Sequence, residues 1–118
     1  MTMRFLRISD DNKPKLIITS ESKSLEALQK GVGGYVERIQ LNPALDMWIN
    51  EEGLFDSRCR PNFMATWLVL VSGRGDTSLL IHGPVVITGR NGVETGEVPA
   101  EFVNKITDTL RVPKLIGE

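Results

Sequence analysis

The hydrophobic positions of this chain change their spacing several times, and each change predicts a boundary between elements. Short apolar runs at 5–8 and 15–19 read as strands, and the polar segment 10–14 between them is rich in turn-forming residues. The sequence therefore predicts an N-terminal β-hairpin.

A helix is predicted next, between a capping serine, Ser24, and the glycine pair 33–34. Glu26 stands in its first turn, where a negative charge is favourable, and glycine provides the left-handed conformation that ends many helices. Its apolar positions recur at helical spacing: Leu25, Leu28 and Val32.

Residues 35–52 predict two strands joined by a turn at 42–44, because side chains alternate between the two faces of a strand. The first strand places Glu37 on one face with Tyr35, Ile39 and Leu41. The second directs Leu45, Met47 and Ile49 toward a core and leaves the opposite face to Asp46, Trp48, Asn50 and Glu52. We therefore expect Glu37 among apolar neighbours and a polar outer face that carries a tryptophan.

The second half of the chain predicts further helices and strands. Residues 62–71 favour a helix with apolar three-and-four spacing, and a buried strand is the alternative. After a loop at 72–78, residues 79–88 favour strand with a bend at Gly83-Pro84, and Asn91-Gly92 predicts a hairpin turn. An apolar stripe predicts a last helix over 99–111.

Helices that interleave with hairpins indicate the α+β class, with about three helices and one mixed or mostly antiparallel sheet. The length of 118 residues suits one domain, which we place at 1–113, followed by a C-terminal tail at 114–118. The single cysteine, Cys59, excludes an internal disulfide and suits a reducing compartment.

The composition narrows the classes of function. A net charge of -1 gives no electrostatic reason to expect binding to nucleic acid or to anionic lipid. The longest apolar run, 67–71, is far shorter than the ~20 residues of a membrane helix. We expect a cytoplasmic protein with no membrane contact.

Glu37 is the sharpest chemical anomaly, because a buried carboxylate must be neutralised or paired. Glu37 could act as an acid or base or bind a ligand. A salt bridge with Arg7, or a strand edge exposed to water, would explain its position without any function.

Asp46, Asn50, Glu51 and Glu52 offer oxygen ligands for a divalent cation, yet such carboxylates are usually only solvated. We predict no metal, cofactor or catalytic residue.

Contact residues are predicted around the same hairpin. Trp48 is a candidate contact for a protein or a flat ligand, with burial against a helix as the alternative. The remaining candidates for binding are Tyr35, Arg58, Arg60 and Asn62.

Cys59 lies between two arginines that would lower its pKa, and with His82 it could form a nucleophile and base pair. Nothing in the spacing of the sequence requires Cys59 and His82 to meet.

Several segments together resemble a known family: Gly33 to Glu37, Leu45 to Leu54, Pro61-Asn62 with Ala65-Thr66, and Gly83 to Gly89. In these residues the chain is similar to domain-of-unknown-function family 3846, small proteins of bacteriophages, actinobacteria and mobile elements. The resemblance implies an origin in a phage or integrated element and a role in the host cytoplasm. It implies no reaction and no catalytic residues.

Three hypotheses of function follow. The first is a non-enzymatic phage or mobile-element accessory protein that binds a host protein through the hairpin 34–52 and the loop 58–62. The second is an oligomeric binder of a nucleotide-type signal, in which Arg58, Arg60 or Arg90 pairs with phosphate and Trp48 or Tyr35 stacks on a base. The third is a small enzyme that uses Glu37. A homodimer through exposed strand edges is compatible with each of them.

Overall fold

Antiparallel strands and three helices alternate along the chain in the computed structural model, which describes residues 2–73 and 80–117. The strands are β1 (Thr2–Ile8), β2 (Pro14–Ser20), β3 (Val36–Asn42), β4 (Leu45–Asn50), β5 (Val85–Asn91) and β6 (Glu94–Gly96). The helices are α1 (Ser24–Val32), α2 (Phe63–Ser72) and α3 (Ala100–Leu110), and short 3-10 turns lie at Glu21–Lys23 and Gly53–Phe55.

All six strands form one sheet in the order β2-β1-β5-β4-β3, with β6 paired to β5. Every pairing is antiparallel. The two sequence-local hairpins, β1–β2 and β3–β4, are thus joined by β5, which lies between them. The α+β class is confirmed, and β2 and β3 form the two edges of the main strand order.

The sheet carries helices on both faces. On one face α2 and α3 pack over the larger core cluster, which includes Leu6, Met47, Ile87, Leu68 and Val103. On the other face α1 packs over the smaller cluster of Met3, Phe5, Leu28, Val32 and Val86. A sheet covered in this way buries both sides of its central strands, so β5 is buried from Val85 to Gly89.

The predicted helices form, with two corrections at α1. Ser24 lies inside the helix, and the residue before it, Lys23, makes no side-chain cap. Leu25 is 56% exposed, because only Leu28 and Val32 of the predicted stripe turn toward the sheet. Gly33 ends the helix in the left-handed conformation as predicted, with φ of 80°.

Residues Phe63–Ser72 are helical, so the alternative of a buried strand there is wrong. The strand expected over 79–88 begins only at Val85, because Gly83 has a φ of 85° and Pro84 cannot donate a ladder hydrogen bond. Most of the loop predicted at 72–78 lies outside the described residues.

The end of the chain departs from the predicted tail. Leu115 and Ile116, beyond Pro113, are partly buried and pack against the larger core cluster. After the end of α3 at Arg111, the chain therefore returns to the core and packs these two apolar side chains against it. Among the described residues, no helix has the length and apolar character needed to cross a membrane.

Candidate functional site

The β3–β4 hairpin has the predicted pairing, with Arg38 opposite Trp48, but Glu37 is not buried. The side chain is exposed, although Ile39 and Leu41 on the same face pack against the larger cluster. β3 is an edge strand, with a neighbouring strand on one side only. The predicted burial of Glu37 is therefore wrong, and Tyr35, just before the strand, is 73% exposed.

Of the two structural explanations offered for Glu37, the solvent-exposed strand edge matches the structure, and the salt bridge with Arg7 does not form among the described residues. Arg7 lies on the opposite side of the sheet, where its Nε donates a hydrogen bond to the carbonyl oxygen of Gly31 at 2.9 Å. With an exposed carboxylate and no buried partner, Glu37 lacks the environment that an acid or base role was expected to need.

The face of β4 expected to be open is largely covered. Asp46 is 2% exposed and Asn50 is 8% exposed, and Trp48 is half-buried against the cluster beneath α1. The indole Nε1 of Trp48 donates to Thr88 Oγ1 at 2.9 Å. The structural alternative for Trp48, burial against a helix, describes its position better than an open contact surface.

Asp46 is a buried ion-pair partner. Arg90 Nη1 donates to Asp46 Oδ1 at 3.2 Å, and Arg38 Nη1 lies 4.0 Å from Asp46 Oδ2. A buried carboxylate needs such a partner. Arg90 is thus already engaged, which removes it from the predicted set of phosphate ligands.

Asn50 joins α1 to β4. Its Nδ2 donates to the carbonyl oxygen of Val32 at 3.2 Å, and its Oδ1 accepts from the Glu52 amide at 2.9 Å. Two glycines lie against Asn50: a Cβ on Gly34 would stand 3.1 Å from Asn50 Nδ2, and a Cβ on Gly53 would stand 3.5 Å from Asn50 Cβ and 2.6 Å from the His82 carbonyl oxygen. Asn50 and the two glycines therefore form a structural junction.

The cation cluster suggested by the sequence does not assemble. Glu51 and Glu52 are exposed, whereas Asp46 and Asn50 are committed to the contacts above. Across residues 2–73 and 80–117, no three His, Cys, Asp or Glu side chains are grouped so that they could hold a metal ion.

The loop before α2 contains the predicted binding residues Arg58 and Arg60. Arg58 binds Asp56 at 2.7 Å, and this hydrogen-bonded guanidinium lowers the pKa of Asp56 to about 2. Arg60 is exposed, and its backbone amide donates to Asp10 Oδ2 at 3.1 Å. Arg58 lines a small cleft with Asn50, which lies at the opposite end of β4 from Asp46 and its partner Arg90. Arg58 and Arg90, two of the three arginines predicted to bind phosphate, therefore do not form one site.

Asn62 is fully buried, which corrects its prediction as a binding residue. Its Oδ1 accepts from the Ala65 amide at 3.0 Å and caps α2. Its Nδ2 donates to the carbonyl oxygens of Ile8 and Gly83, at 3.1 and 2.9 Å. Asn62 therefore joins three segments of backbone and offers nothing to a ligand.

Cys59 is not activated. Burial raises the pKa of its thiol, nearby Asp56 and Asp10 add to the rise, and Arg58 opposes it more weakly. The expectation that flanking arginines lower the pKa is wrong. Among the described residues Cys59 and His82 form no hydrogen bond, and the His82 ring instead contacts the Leu80 carbonyl oxygen through Nδ1 at 3.0 Å.

The most exposed set of large apolar side chains on a helix lies on α2. Met64, Leu68 and Val69 face the sheet, while the opposite side of the helix presents Phe63 (64% exposed), Trp67 (48%), Leu70 (41%) and Val71 (60%). We call these four side chains the α2 face. The apolar spacing that predicted the helix combined residues from both sides of it. The signal that marks the face is the lack of any charged residue from 63 to 73.

The α2 face continues into a groove between α2 and α3. One depression of about 590 Å³ extends toward the β3–β4 turn, and a second of about 360 Å³ lies farther along α3. Both are lined by Leu68, Val71, Phe102 and Lys105. The arrangement is an elongated apolar surface with charged residues at its margin.

Comparison with known proteins assigns a family and no activity. No curated protein and no solved structure matches the chain. The model of one family matches residues 3–111, a wider span than the segments that suggested the resemblance. The chain belongs to the family described as a domain of unknown function, DUF3846.

Proposed function

We propose that the chain is a non-enzymatic accessory protein of phage or mobile-element type that acts in the host cytoplasm by binding a host protein. The observation that carries this proposal is the α2 face, and the phage or mobile-element setting rests on the family resemblance. We propose α2 as the binding surface in place of the β3–β4 hairpin, because Asp46, Trp48 and Asn50 of the hairpin make structural contacts.

Folding alone gives no reason for aromatic residues on the α2 face. Glutamate or lysine at an exposed helix position would favour the helix at least as well as phenylalanine or tryptophan. Burying the exposed parts of Phe63 and Trp67, roughly 100 Å² each, would contribute about 2–3 kcal/mol per residue. A helix that is apolar all round is ordinarily covered all round, which supports a partner on this side.

The groove favours an amphipathic helix as the element that the partner supplies. The two depressions lie side by side along α2 and α3, so they can take apolar side chains spaced by one or two helical turns. Lys105 lines both depressions, and within the described residues it has no carboxylate within 4.0 Å. Glu101 lines the first depression and Asp108 lines the second, so the charged margin has both signs and the apolar side chains carry the preference for a helix.

The decisive test compares two aromatic-to-glutamate variants. We expect Trp67→Glu to weaken binding of the host protein by at least about thirtyfold, because a central tryptophan is often a dominant contact. Tyr35→Glu is the matched control: Tyr35 is 73% exposed but lies beside the β3–β4 hairpin. A host protein retained by the wild type and by Tyr35→Glu, and lost by Trp67→Glu, would be purified and its affinity measured by calorimetry.

Two results would contradict the proposal. Loss of binding in Tyr35→Glu but not in Trp67→Glu would return the interface to the hairpin predicted from the sequence. A purified protein that is dimeric by light scattering, and monomeric after Trp67→Glu, would show that a second copy of the chain covers the α2 face. Circular dichroism and thermal unfolding of both variants would show that each is folded.

A further inference from the structure

A second groove lies on the other side of the molecule, between α1 and the edge strand β2. It has a volume of about 470 Å³, within the range of small-molecule sites. Ile17 and Ala27 provide its apolar side chains, and its basic residues are Arg7, Lys15 and Lys30. Leu16 and Ile18 also border it, but their side chains point to the opposite face of the sheet, where Leu16 packs against the larger core cluster. Among the described residues, no acidic or aromatic side chain lines the groove.

The three basic residues are unusual for a chain whose net charge is -1. Within the part of the chain that the structure describes, none of them has a carboxylate within 4.0 Å. Arg7 and Lys15 are directly opposite each other in the β1–β2 pairing. Like charges in that position repel and destabilise a sheet, so the groove has an electrostatic cost that an anion would remove.

The end of α1 explains part of this charge but not all of it. Cations are favourable near a helix C-terminus, which suits Lys30, and Arg7 Nε donates to the Gly31 carbonyl oxygen. Lys15 belongs to β2 and makes no such contact. The hydrogen bond through Nε also fixes the guanidinium of Arg7 while leaving its two terminal nitrogens without a carboxylate partner.

We propose that this groove binds a small organic phosphate, with the phosphate held by Arg7, Lys15 and Lys30 and an aliphatic body against Ile17 and Ala27. Three cations suit a doubly charged group better than a single carboxylate, and a guanidinium fork matches phosphate geometry. The absence of an aromatic lining residue makes a stacked base a poor fit. The site is independent of the α2 face, and it differs from the arginines and Trp48 that the sequence suggested.

The test uses three probes on the ¹⁵N-labelled full chain: hexyl phosphate, hexanol, which lacks the phosphate, and inorganic phosphate, which lacks the alkyl chain. We expect hexyl phosphate to shift the amides of 15–18 and 27–31 in a saturable manner, and to bind at least about tenfold more tightly than inorganic phosphate because its chain is buried. Hexanol should show no saturable binding. Lys15→Gln and Lys30→Gln should each weaken hexyl phosphate by about threefold to tenfold.

Lys23→Gln is the matched control, since it removes the same charge from an exposed lysine that does not line the groove. We expect it to retain the wild-type affinity within about twofold, the scale of weak surface electrostatics. Equal weakening by Lys23→Gln and the groove variants would overturn the proposal, because the attraction would then follow net charge. Amide shifts confined to other segments, or no saturable binding of hexyl phosphate, would overturn it as well. Lys15 and Lys30 are exposed, so their substitution leaves the core intact.

Discussion

Individual polar residues in this protein are mostly connectors between backbone segments. Asn50 joins β4 to the end of α1, and Asn62 joins the start of α2 to the end of β1 and to Gly83. Thr66 extends the second connection, since its hydroxyl donates to the Asn62 carbonyl oxygen and accepts from the Ile81 amide. Such buried networks are valuable only when every member is satisfied.

We predict that Asn62→Ala lowers the free energy of unfolding by about 2–4 kcal/mol. The variant loses a helix cap and leaves the Ile8 and Gly83 carbonyl oxygens without their donor inside the protein. Urea unfolding followed by circular dichroism measures the change.

Asn62→Asp separates the two contributions, because aspartate keeps the capping oxygen but cannot donate to the two carbonyls at neutral pH. We expect it to be at least as destabilised as Asn62→Ala. A loss below about 1 kcal/mol in both variants would show that the network has no structural weight.

At the scale of elements, the close approach of α1 to the sheet depends on a glycine inside the helix. A Cβ on Gly31 would lie 2.6 Å from Val86 Cγ2 and 3.2 Å from Ile17 Cδ1. Helix propensity alone would favour alanine there by about 1 kcal/mol. Packing against the central strand β5 therefore opposes the local preference of the chain.

We predict that Gly31→Ala destabilises the protein by about 1 kcal/mol, because overpacking outweighs the gain in helix propensity. Combining it with Val86→Ala makes room for the new methyl group, so the two substitutions should show a favourable coupling of about 1 kcal/mol or more in thermal unfolding. Additive effects of the two substitutions would mean that α1 shifts to relieve the contact.

The elements themselves were largely predictable, because their signals are local. The N-terminal hairpin, the left-handed end of α1 at Gly33 and the hairpin turn after β5 depend on neighbouring residues. The first two are confirmed, and the turn forms one residue later than predicted, at Gly92-Val93, because Asn91 still pairs with Glu94. Burial was not predictable in the same way. Glu37 and Asp46 both alternate with apolar residues, yet Glu37 lies on an edge strand and Asp46 lies between β3 and β5. Strand order depends on residues that are distant in sequence, so the sequence pattern alone could not show which of the two carboxylates is buried.

The same limit applies to the candidate site. The position of α1 decides that Trp48 is covered, because Trp48 packs against the cluster beneath that helix. For Trp67 the sequence does carry a signal of exposure, namely a helix without any charged residue, but apolar three-and-four spacing does not show which of its residues face the core.

At the scale of the whole molecule, the segment after α3 belongs to the fold. Leu115 and Ile116 add their side chains to the cluster that α2 and α3 form with the sheet.

We predict that the double variant Leu115→Ala/Ile116→Ala loses about 1–3 kcal/mol of unfolding free energy, given that both side chains are partly buried. Val93→Ala is the control, since Val93 is 91% exposed and should change stability by less than about 0.5 kcal/mol. Differential scanning calorimetry compares the two. Equal stability of the double variant and the wild type would restore the predicted free tail.

The position of β5 has a consequence for how the chain reaches this structure. Its pairing with β1 joins residues about eighty positions apart in sequence, such as Leu6 and Ile87, and its pairing with β4 spans about forty. Contacts of such long sequence separation slow folding, because a large loop must close before they form. During synthesis the two hairpins emerge early, but each keeps an unpaired central edge until residues 85–91 have left the ribosome. The nascent protein therefore passes through a period in which two partial sheets, each with a free apolar strand, depend on one late strand to join them.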